Sequence, residues 1–202
     1  MAKTTTKLPV IERPTPELVQ KTLSEMDEDW GFKATEKALS ILFRAYPKND
    51  TIEEVLLKVV TLNGLYNTNI LARHLVSKHI CELGIDRTLA SGDMNLIPLI
   101  AQVTIQTKKG NKARNNYSFA TKYCSFHFPL HYPIWDKYVN ALLWDYVALD
   151  GFTELGDGEL RKYPILCRVI AEFQQFYKLE QFTIKQIDKF LWKYGQKVHP
   201  EL

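Results

Sequence analysis

From Pro16 onward this chain reads as a succession of helices, and that pattern limits the possible folds more than any other feature. Segment 16–30 opens with Pro and Glu, which suit a first helical turn. Segment 32–46 carries Leu39, Ile41, Leu42 and Tyr46 at helical spacing and stops before Pro47, whose ring disfavours a helical residue ahead of it. Asp50, Thr51, Ile52 and Glu53 open the next segment, and segment 67–84 ends on Gly84 in a C-cap position. Segment 94–106 is strongly apolar, with a kink expected at Pro98. Segments 163–179 and 183–196 complete the series. No window shows period-two alternation flanked by turn signals, so little or no sheet is expected. The expected fold class is all-α. Residues 1–15, with a Thr triplet, Pro9 and Pro14, read as a flexible arm. Residues 16–202 suffice for one helical domain with a real core, or for two small lobes.

Composition narrows the setting more than the function. The net charge of +3 is too small to establish a polyanionic partner. Cys81, Cys124 and Cys167 lie far apart, with no CxxC pair and no short Cys/His spacing. That excludes a conventional iron–sulfur or zinc-finger cluster within the chain. Scattered cysteines in odd number suit a reducing compartment. No apolar run has the length of a membrane span, and no signal-peptide pattern opens the chain. A cytoplasmic protein that needs neither membrane nor cofactor is expected.

Three stretches carry candidate chemistry. The first, LNGLYNTNI, gathers Asn63, Asn67 and Asn69 around Tyr66 between two apolar helices. It reads either as a helix break with Asn67 or Asn69 as N-cap, or as a polar and aromatic loop that probes a ligand. The second joins Lys108, Lys109, Lys112, Arg114, Asn115 and Asn116 ahead of a helix N-terminus. It is either a solvated connector or an anion grip, where backbone N–H groups and cations meet phosphate. The third runs over 115–139: a helix, a Pro-broken connection, then Asp136 within P-I-W-D-x-x-V. Asp136 is either a helix N-cap or a catalytic carboxylate. Ser118 and Lys122, four apart, share one helix face; Lys122 either snorkels to solvent or supplies a positioning or nucleophilic amine.

A polar break between helices, a basic connector and a helix leading to P-I-x-D-x-x-V resemble, together, the helix-hairpin-helix DNA glycosylase superfamily. Pro133, Ile134, Asp136 and Val139 carry the match, with Ala120 at the small position of the hairpin helix. The resemblance covers about residues 50 to 195 and implies a two-lobed all-α domain with a cleft. It implies a protein acting as a monomer on duplex DNA in base-excision repair, hydrolysing the N-glycosidic bond of a damaged or modified base. Asp136 would then be the catalytic carboxylate. Lys108, Lys109, Lys112, Arg114, Asn115 and Asn116 would meet phosphates, and Tyr66, Asn67 and Asn69 would enter the duplex. Phe126, Tyr132 and Trp135 would wall the base pocket. The position 18 residues before Asp136 holds Ser118 where bifunctional members have the nucleophilic Lys, and Lys122 lies one turn further on. Arg114 and Asn116 stand where the family has its Gly-x-Gly. Monofunctional chemistry with water as nucleophile is therefore expected.

Three other classes compete. An inert DNA-binding module of the same fold would explain the missing Lys and glycines. A metal-dependent hydrolase would use His127, His131 and Asp136, although Pro129 breaks the helix between the two histidines. A helical protein-interaction domain would need an exposed apolar patch.

Overall fold

A computed structural model describes residues 11–107 and 110–202. Among them the chain is mainly helical, with one two-stranded hairpin. The order is α1 (Pro16–Glu28), α2 (Trp30–Ala45), α3 (Ile52–Tyr66), α4 (Arg73–Leu83), α5 (Asp86–Ala90), α6 (Leu96–Ala101), β1 (Gln102–Thr107), β2 (Gly110–Asn115), α7 (Tyr117–His127), α8 (Lys137–Asp150), a 3-10 turn (Glu159–Arg161), α9 (Tyr163–Phe176) and α10 (Ile184–Val198).

The helix ends follow local chemistry. The Thr15 hydroxyl accepts the Leu18 N–H ahead of α1, with Pro16 in the first turn. Asp29 caps α2 through the Phe32 N–H. Asn67, at φ 48°, ends α3, and Gly84, at φ 58°, ends α4 in the left-handed conformation. Thr183 and Gln186 form a reciprocal capping box at α10.

The expected sheet-free connector is a hairpin. Val103 is buried and Ile105 half-buried, whereas Gln102 and Thr104 face solvent; this short alternation pairs with the exposed strand Gly110–Asn115 in antiparallel register. The single apolar run expected over 94–106 therefore divides into α6 and β1 at Gln102, which leaves helical geometry for an extended conformation. Lys108 and Lys109 fall between the paired Thr107 and Gly110 and lie outside the described residues.

Of the expected arm, residues 1–10 also lie outside the described residues. The next few residues are anchored. The Glu12 N–H donates to the Tyr194 hydroxyl, and the Tyr146 hydroxyl donates to the Glu12 carbonyl. Arg13 pairs with Asp150 at 2.8 Å.

Buried side chains from α1 through α10 make one apolar cluster. Two close approaches matter for the site. At Gly195 an added Cβ would stand 2.9 Å from the Tyr138 carbonyl oxygen, so α10 rests directly on the first turn of α8. The α2–α3 connection is tied by Lys58, whose buried ammonium donates to the carbonyls of Tyr46 and Lys48 and to Asn49 Oδ1. No helix of the described residues is long and apolar enough to cross a membrane.

Candidate active site

The segment that delivers Asp136 is held from three sides. The Trp135 N–H donates to Thr121 Oγ1 on α7 at 3.2 Å, and the Ile134 N–H donates to Asp188 Oδ2 on α10 at 3.0 Å. The Pro133 carbonyl accepts the Tyr163 hydroxyl of α9 at 3.0 Å. Asp136 then caps α8: its Oδ1 accepts the N–H groups of Tyr138 and Val139, each at 3.0 Å. The cap occupies one oxygen only. Oδ2 lies 3.7 Å from Lys122 Nζ.

Lys122 does not snorkel. It is 4% exposed, donates to Ser118 Oγ at 2.8 Å, and lies 6.0 Å from the centre of the Tyr66 ring. Burial pulls the affinity of its amine for a proton below the usual lysine value, and Asp136 opposes that pull. The triad of Ser118, Lys122 and Asp136 borders a cleft of about 810 Å³. Asn67, Asn69, Trp135 and Trp192 also line it. A smaller recess, about 30 Å³, lies against Lys122 and Asp136 and has aromatic walls from Phe32, Tyr66 and Trp192.

Two acidic side chains of this recess escaped the sequence reading. Glu36 accepts the Tyr66 hydroxyl at 2.6 Å and Lys189 at 3.3 Å. Burial raises its pKa, but Lys185, the Tyr66 hydroxyl and Lys189 outweigh that and hold the carboxyl below its ordinary value. Asp188 is 3% exposed, and burial pushes its carboxyl up to about 8. The signal for both is a carboxylate on an apolar helix stripe: Glu36 between Phe32 and Leu39, and Asp188 between Ile184 and Leu191.

The other expected residues divide. Asn67 and Asn69 both stand in the left-handed region, at φ 48° and 57°, on the cleft wall. Tyr66 lines the cleft too, but it is fixed by Glu36 and by edge contact with Phe126, so it is a wall and not a free wedge. Leu71, 74% exposed, is the projecting apolar side chain of that loop. Arg114 and Asn116 border a small groove with Asn69 and Leu71, which brings the hairpin beside the asparagine loop. Lys112 and Asn115 are exposed on β2.

Trp135 lines the cleft, with its indole N–H buried and unpartnered. Tyr132 does not belong to a pocket: it is fully buried and its hydroxyl donates to the Leu89 carbonyl in the core. Phe126 supports the recess from behind, packed on Tyr66 and Phe43. The metal alternative finds no support in position. His127 is enclosed by Phe43, Tyr123 and Lys58, with its pKa pushed down to about 3 by burial and then by Lys58. His131 stacks on Phe128. Among the described residues no group of three His, Cys, Asp or Glu side chains is placed to hold a metal ion.

Comparison with known proteins assigns the chain by descent. The HI_0787_N family, described as an N-terminal domain, matches residues 18–131. The chain belongs to that family. The matched span carries Tyr66, Asn67, Asn69, Ser118 and Lys122, and ends before Asp136. An uncharacterized protein of Haemophilus influenzae (strain ATCC 51907 / DSM 11121 / KW20 / Rd) is 38% identical over 158 residues. That alignment covers 77% of this chain and 74% of the relative. No solved structure matches the chain.

Proposed function

We propose that the chain is a DNA glycosylase-like hydrolase, as its resemblance to the helix-hairpin-helix DNA glycosylases implies. It would hydrolyse the N-glycosidic bond of a damaged or modified base turned out of duplex DNA. One observation carries the reading: the buried Asp136 keeps one carboxylate oxygen out of the helix cap and beside Lys122, on the wall of a cleft that Lys122 and Ser118 share. Cleaving an N-glycosidic bond builds positive charge on the sugar, and a fixed carboxylate beneath it stabilises that charge or orients a water. The target base must leave the stack to reach such a group. The cleft, about 810 Å³, has room for a nucleoside turned out of the duplex. The asparagine loop with Leu71 would fill the gap in the duplex, and Arg114, Lys112 and their neighbours on the hairpin would meet phosphates.

Lys122 supports water as the nucleophile. It donates to Ser118 and lies 3.7 Å from Asp136 Oδ2, so it holds the carboxylate in place, while Ser118 and not a lysine stands 18 residues before Asp136. The test is a base-release screen over duplexes carrying damaged and modified bases, with nicking scored before and after alkali. Alkali-dependent nicking alone, with no borohydride-trapped adduct, is the expected result. A trapped adduct that Lys122→Ala abolishes would make the enzyme bifunctional. Binding of duplex DNA with no base released from any substrate would favour an inert binding module of the same fold.

A further inference from the structure

Asp188 is built into the recess in a way that its bond to the backbone does not explain. Its Oδ2 accepts the Ile134 N–H at 3.0 Å and so helps to position the segment leading to Asp136. Its Oδ1 is buried with no hydrogen-bond partner and belongs to a side chain that lines the recess with Lys122 and Asp136. A buried polar oxygen without a partner carries a desolvation penalty, and such groups cluster where chemistry is done.

The charges around it are mixed. Lys185 stands on its own helix, Lys122 on α7, Asp136 at the start of α8, and Tyr163 and Cys167 on α9. Burial outweighs the two lysines, so Asp188 holds its proton up to about pH 8. A neutral carboxyl whose Oδ2 is occupied as an acceptor carries that proton on Oδ1.

We propose that Asp188 is the general acid that protonates the departing base, a role that rests on the N-glycosidic reading above. The C1′–N bond breaks and its electron pair stays with the base nitrogen. That nitrogen takes the proton of Asp188 Oδ1 through one water, for which the recess of about 30 Å³ has room. Water adds its oxygen to C1′ and yields a proton to Asp136. The products are the free base and an abasic sugar, and solvent returns the proton from Asp136 to Asp188. The two carboxyls thus divide the labour, Asp136 acting at the sugar and Asp188 toward the base.

The test compares leaving groups that need the proton with one that does not. Single-turnover release is measured from duplexes holding uracil or hypoxanthine, both neutral, and 7-methylguanine, already cationic. Asp188→Asn keeps an acceptor for the Ile134 N–H and removes only the acid. It should slow release of the neutral bases by about 100-fold or more and leave the cationic base within about threefold. In the parent, release of neutral bases should fall as pH rises through about 8, while release of the cationic base stays level. That parent profile decides alone if the variant does not fold. Equal loss on both classes, no loss on either, or release confined to the cationic base would each overturn the proposal while leaving glycosylase activity standing. A parent that releases no base would overturn that activity, and the proposal with it.

Discussion

Asp136 holds two offices, and their energetics separate. As a cap alone, replacement by Asn costs about 1 kcal/mol or less, because Asn caps nearly as well. The carboxylate also balances a buried ammonium, and removing one partner of such a pair costs up to about 3–5 kcal/mol. Asp136→Asn should therefore destabilise by more than the cap accounts for. Asp136→Asn combined with Lys122→Gln should be less destabilised than the sum of the single changes, as a denaturant double-mutant cycle would read.

Lys122 and Asp188 also set opposite pH slopes. The folded pKa of Lys122 lies below its unfolded value, so the unfolded chain binds the extra proton and stability rises with pH between the two. Asp188 has its folded pKa raised from 3.8 to about 8, so the folded chain binds the extra proton. Its contribution is complete below about pH 4 and lost as pH rises to about 8. Asp188→Asn should accordingly gain stability on the parent at pH 8–9 and lose that advantage toward pH 4, as melting curves across pH would show. An advantage independent of pH would mean that Asp188 is ionised throughout.

The helices were legible wherever their ends were chemically marked: Pro16 at a first turn, Gly84 at a C-cap, Pro47 after a stop. The hairpin was not, because its alternation spans one short strand and its partner is a polar strand exposed along its length. Its four expected cations remain the candidate phosphate grip. Changing Lys108, Lys109, Lys112 and Arg114 to Ala should weaken duplex binding and flatten log affinity against log salt, by as much as about 0.9 for each phosphate no longer neutralised. An unchanged slope would leave the hairpin as a solvated connector. The α8–α10 packing offers a second check. Gly195→Ala pushes a Cβ to 2.9 Å from the Tyr138 carbonyl and should destabilise by about 1–3 kcal/mol despite better helix propensity. Gly64→Ala in α3 meets nothing within 4 Å and should gain up to about 1 kcal/mol.

Across the whole chain, the cleft joins elements that sequence order keeps far apart. Segment 115–139 holds Ser118, Lys122 and Asp136 within one local unit, so their meeting was readable from helix spacing and a Pro-broken turn. Glu36 and Asp188 reach the same recess from α2 and α10, and nothing local announces that those helices converge there. Only a carboxylate misplaced on an apolar stripe hinted at it. Tyr132 misled for the converse reason: nearness in sequence to Asp136 suggested a pocket wall, while its hydroxyl had partners in the core. The proposed chemistry stands or falls on whether the carboxylate at position 136 cleaves an N-glycosidic bond. Single-turnover base release by the parent and by Asp136→Asn, with duplex affinity measured in parallel, decides that question. The parent should release at least one modified base, and Asp136→Asn should bind the same duplex but release that base about 10²–10³-fold more slowly. A parent that binds duplex DNA and releases nothing, or a variant as fast as the parent, would contradict a catalytic Asp136.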